Sequence, residues 1–134
     1  MSHRGSSPGR PGNQRPPRPA ALAAAETGAE RWHAAVVAQQ QAEADHAGFY
    51  ALAVELVHTL RALEGLARVL AGQVGDSGCG RRLYDDSRRV DPAERLAAAA
   101  AALGHLGHLL GQAERTANTF WSEIGHIGEE ADPC

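Results

Sequence analysis

Residues 96–127 read LAAAAAALGHLGHLLGQAERTANTFWSEIGHI, and their spacing decides the fold. Leu96, Ala99, Leu103, Leu106, Leu110, Ala113, Ala117, Phe120, Ile124 and Ile127 recur at alternating steps of three and four. Such steps hold side chains on one stripe of a helix, whereas a strand alternates every second residue. Residues 49–74, FYALAVELVHTLRALEGLARVLAGQV, repeat the pattern through Phe49, Ala53, Leu56, Leu60, Leu63, Ala67, Leu70 and Val74. Tyr50, Leu52, Val57 and Leu66 flank that stripe and widen it. Two apolar helices joined by a turn predict an all-α chain, a coiled-coil-like antiparallel helical hairpin over residues 27–128. Its helices are expected near 28–74 and 92–128, with the tip at 75–91. Each buried leucine contributes about 1.5–3 kcal/mol, but a lone hairpin buries little for its length, so a dimer is expected to complete it.

Local signals place the ends. Thr27-Gly28-Ala29-Glu30 has capping-box spacing, which starts a helix near Gly28. No proline follows until Pro92, so one helix can run to Val74, bent near Gly48 where glycine and the preceding polar Gln39–Gln41 weaken it. The alternative is a break near Asp45–Gly48 and a three-helix arrangement. Gly75, Gly78 and Gly80 punctuate the helix end. In Asp91-Pro92-Ala93-Glu94 the aspartate caps, and proline takes the first helical position, where its missing amide costs nothing. Residues 129–134 are expected to fray.

The 134 residues fit one domain. All thirteen basic residues are arginine and alanine dominates, a composition that a GC-rich bacterial genome encodes. Residues 1–26 form a basic arm with prolines at 8, 11, 16, 17 and 19, too poor in apolar residues to fold, and it is expected to be disordered. Such an arm suits nucleic acid or, through Pro16-Pro17-Arg18-Pro19, a polyproline-binding groove; it reads more readily as an unstructured leader or as a start codon placed too early. The rest of the chain is acidic, which disfavours nucleic acid as the main partner. Cys79 and Cys134 fall at the tip and beyond the far end, too distant to bond within one hairpin, and two free thiols suit a reducing cytoplasm. The charge-free run 96–113 carries His105, His108 and Gln112 among small residues, so no membrane span is expected.

Four histidines have glutamate three residues earlier: Glu30/His33, Glu43/His46, Glu55/His58 and Glu123/His126. On a helix that spacing shares one face, and Glu-x-x-His resembles the ligand pair of ferritin-like di-iron carboxylate bundles. The hairpin would set Glu43 and His46 opposite Glu123 and His126, so these four are the candidate ligands for iron, manganese or zinc. The same pairs also stabilise bare helices by a few tenths of a kcal/mol, roughly 0.2–0.5. Hydrolase, phosphate-loop, dinucleotide and Cys-x-x-Cys motifs do not occur, so no catalytic residue is assigned. The expected function is therefore non-enzymatic: a protein–protein interaction or adaptor module, self-associating, with a metal-carboxylate protein as the alternative and weak nucleic-acid binding through the arm as a further one. The candidate partner surfaces are Trp32, Val36 and Val37 on the first helix and Arg81, Arg82, Tyr84, Arg88 and Arg89 at the tip.

Overall fold

The computed structural model describes residues 18–78, 83–128 and 130. The helices are α1 (Ala20–Gln41), α2 (His46–Asp76) and α3 (Pro92–Gly125), with no strand among the described residues. The chain divides into two compact units, Met1–Glu43 and Ala44–Cys134.

The first unit contains α1. It begins at Ala20, earlier than the capping box suggested, because Ala20–Ala25 propagate helix from Pro19, whose carbonyl accepts the Ala23 amide at 3.0 Å. Thr27 thus lies inside the helix, and residues 20–26, expected in the disordered arm, are helical. The remainder of that arm, residues 1–17, lies outside the described residues. Ala42 turns extended and ends α1, with its amide on the Gln39 carbonyl.

One long helix from 28 to 74 is therefore not what forms. The break lies at Ala42–Asp45, and Asp45 restarts the helix by accepting the Gly48 amide at 2.6 Å. Gly48 is part of that cap rather than a bend. A Cβ there would lie 2.9 Å from the Asp45 carboxylate oxygen, so glycine leaves the cap room to form.

The second unit is the antiparallel α2·α3 hairpin. At about 1.5 Å per residue its arms are roughly 46 and 51 Å long. Asp91 caps α3 through the Ala93 amide at 3.0 Å, Pro92 sits in its first turn, and Glu94 adds negative charge where the amides end unpaired. The hairpin closes where Gly78 abuts Leu96.

The contact seam steps by three and four as expected, but along a line turned by one residue at alternate positions. On α2 it runs through Ala53, Val57, Leu60, Glu64, Ala67, Ala71 and Val74, and on α3 through Leu96, Ala100, Leu103, Gly107, Leu110, Glu114, Ala117, Trp121 and Ile124, all buried or half-buried. Leu56, Leu63 and Leu70 give way to Val57, Glu64 and Ala71, and Leu106 and Phe120 give way to Gly107 and Trp121. Those five displaced side chains are exposed. The cause is size. A Cβ on Gly107 would lie 3.8 Å from the Ala67 Cβ, and one on Gly75 3.9 Å from the Ala100 Cβ, so small residues let the two backbones approach closely. Leucine at those points would hold the helices apart.

Candidate functional site

The turned seam gives the hairpin two unlike sides. On α2, Arg61 and Arg68 each follow a seam residue, while Leu56, Leu63 and Leu70 each precede one. On α3, Gly111 and Gly125 follow seam residues, while Leu106 and Phe120 precede them. Antiparallel packing brings followers to one side and preceders to the other.

The first side is polar. Arg61 donates across the hairpin to Glu114, 2.9 Å from Nε and 2.8 Å from Nη2 to the same oxygen. Arg68 pairs with Glu64 one turn away, and the Glu64 carboxylate lies over Gly111, where a Cβ would be 3.3 Å from its Oε1. The two glutamates occupy seam positions with their stems covered and their charges met by arginine. Farther along, the Tyr50 ring lies against Gly125, 3.2 Å from where a Cβ would stand, and meets Trp121 edge-on at 5.9 Å.

The second side is apolar. Leu56, Leu63, Leu66 and Leu70 of α2 and Leu106, Leu109 and Phe120 of α3 are each 37–45% exposed. Half-buried Leu52 extends the row on α2, and Ala99, Ala102, Ala113 and Thr116 fill it on α3. Along α2 the row is Leu52, Leu56, Thr59, Leu63, Leu66, Leu70; along α3 it is Ala99, Ala102, Leu106, Leu109, Ala113, Thr116, Phe120. Each is a second three-and-four stripe without a charge, contiguous with the seam.

The tip is built around an aspartate that sequence reasoning passed over. Asp85 is buried, accepting from the Ser87 amide at 3.1 Å, from the Ser87 hydroxyl, and from Arg95 Nε at 2.6 Å. The Ser87 hydroxyl, with the Arg95 guanidinium second, lowers its pKa from 3.8 to about 2. The Arg88 amide closes the turn on the Asp85 carbonyl at 2.9 Å, placing Arg88 at φ 59 with its guanidinium 4.6 Å above the exposed Tyr84 ring. Because the folded-state value lies below 3.8, ionised Asp85 stabilises the tip fully above about pH 4. That contribution is lost as pH falls toward 2. A carbon-detected NMR titration should find the Asp85 carboxyl titrating near pH 2 and the Ser87 amide shifting with it; Asp85→Asn should remove the acid-dependent step, and a wild-type midpoint near 4 would refute the lock.

Among the partner residues expected from the sequence, Tyr84, Arg88 and Arg89 are exposed on this tip, while Arg81 and Arg82 lie outside the described residues, as do Cys79 and Cys134. On α1, Trp32 is half-buried, and Val36 and Val37 are 55% and 43% exposed. Of the candidate metal ligands, Glu43 ends the first unit. His46 opens α2 with its ring edge-on to Phe49 at 5.9 Å and Nδ1 buried without a hydrogen bond, while Glu123 and His126 are exposed at the end of α3. Among the described residues, no three or more His, Cys, Asp or Glu side chains are grouped as a metal site would need. Nor is any helix of the described residues long and apolar enough to cross a membrane. Compared with protein-family models, with curated proteins and with solved structures, the chain matches none.

Proposed function

We propose that the chain is a non-enzymatic protein–protein contact module, an adaptor that associates with itself and works in the cytoplasm. The carrying observation is the apolar side: seven large side chains, each more than a third exposed, lie contiguously on one side of the hairpin. Monomer surfaces rarely carry apolar patches beyond about 300–600 Å², and larger ones mark contact sites. The Tyr84–Arg88 stack at the tip is a further place for a partner to bind, since aromatic and arginine side chains dominate interface energetics, and the exposed Val36 and Val37 on α1 offer apolar surface. Two cysteines in 134 residues, with no Cys-x-x-Cys, suit a reducing compartment better than a disulfide framework. The test is the solution mass of the full chain by light scattering at tens of micromolar. A mass above the 14.1 kDa of one chain supports the reading, and a single-chain mass removes it.

A further inference from the structure

Resting on that reading, we infer that the occupant of the apolar side is a second copy of the hairpin, related by a two-fold axis parallel to the helices, so that α2 of each copy lies on α3 of the other. The hairpin's own interior is small. Among the described residues its buried apolar side chains are Ala53, Val57 and Ala67, against buried Gly107, all small for a core. The larger apolar side chains stand on the adjoining face with 37–45% of their surface still open, so further hydrophobic gain remains for a second chain to supply.

Register selects the partner. Both outer stripes step by three and four and run antiparallel, as the seam does, so the geometry that joins α2 to α3 can be repeated beside it. Neither stripe carries a charge between Leu52 and Leu70 or between Ala99 and Phe120, so two identical faces meet without opposing like charges. Size selects the axis. The α2 stripe is mostly leucine, whereas the α3 stripe interleaves Ala99, Ala102 and Ala113 with its large residues. Placing α2 on α2 would set leucine on leucine and alanine on alanine, leaving gaps. Placing α2 on α3 gives both helix pairs the same one leucine-rich and one mixed stripe, so the two sides of the interface are equally thick. The Ala67–Gly107 and Gly75–Ala100 contacts fix the heights, which puts Leu63 beside the second copy's Ala113 and Leu66 beside its Leu109. From Leu52 to Leu70 the face runs about 27 Å at 1.5 Å per residue, across two helices, the scale of a standard interface half of roughly 800 Å².

Light scattering of the full chain should give twice the 14.1 kDa chain mass. Leu63→Glu with Leu66→Glu, both off the hairpin seam, should give a single-chain mass with unchanged helicity, weakening association roughly a hundredfold or more. Gly65→Glu adds one such charge on the same turn of α2 but where no atom stands within 4 Å, and it should keep the doubled mass. With Cys79→Ser and Cys134→Ser, adding Leu66→Cys and Leu109→Cys should yield a covalent two-chain product on a non-reducing gel. This second experiment decides the matter if the double glutamate variant does not fold, and absence of the product would overturn the inference. A doubled mass that persists in the folded glutamate variant overturns the inference while sparing self-association. A single-chain mass for the unmodified protein overturns both.

Discussion

Val57→Asp abolishes the helical hairpin: its circular dichroism falls toward that of an unfolded chain at 25 °C, and no cooperative thermal transition remains. Val57 is 1% exposed and is the largest fully buried side chain among the described residues. A carboxylate there has no cationic partner on the seam, and burying an unpaired charge costs several kcal/mol even after relaxation, roughly 3–5. The total stability of a domain near this size is only about 5–15 kcal/mol, and a hairpin with so small a core falls at the low end. Leu56→Asp, one residue away, is the control. Leu56 is 38% exposed, so its carboxylate stays hydrated within a hairpin and helicity survives, although association through the apolar side weakens. The pair of variants separates the two possible seams. If Leu56→Asp unfolds the hairpin while Val57→Asp melts like the parent, the helices meet along the leucine line instead.

That contrast also marks what residue spacing can and cannot convey. The helical hairpin is legible, since three-and-four steps over 26 and 32 residues admit no strand. The Asp91–Pro92 start is legible because cap chemistry is local, and Asp45 would have been found by applying the same rule before Gly48. The rotation of the seam is not legible from hydrophobicity alone. A helix with apolar residues over half its circumference offers two overlapping lines, and the choice between them rests on how closely the backbones approach. The signal was the run of glycines on α3: Gly107, Gly111 and Gly125 all sit against side chains of α2, whereas Gly104 faces open space. Asp85 escaped notice for a different reason. Its lock depends on Arg95, ten residues away on the next element, and no local pattern relates the two.

Close approach makes Gly107 the position where one methyl group and one isobutyl group should have opposite effects. Gly107 is buried, yet a Cβ there would stand 3.8 Å from the Ala67 Cβ and 3.9 Å from the Arg68 Cγ, ordinary contact distances with no collision. Gly107→Ala should therefore stabilise the hairpin by about 0.8–1 kcal/mol through helix propensity. For a domain of 60–100 residues that amounts to a rise in Tm of roughly 4–8 °C. Gly107→Leu adds three further carbons directed at Ala67, where the backbones leave no room. It should force the helices apart and cost about 1–3 kcal/mol, outweighing the gain in propensity. Gly104→Leu supplies the reference, because nothing lies within 4 Å of its Cβ position and leucine there should only stabilise. Thermal melts at matched protein concentration check all three, since association also raises Tm. If Gly107→Leu melts as high as Gly107→Ala, the small residues are not what holds α2 to α3, and the leucine side regains its claim to be the seam.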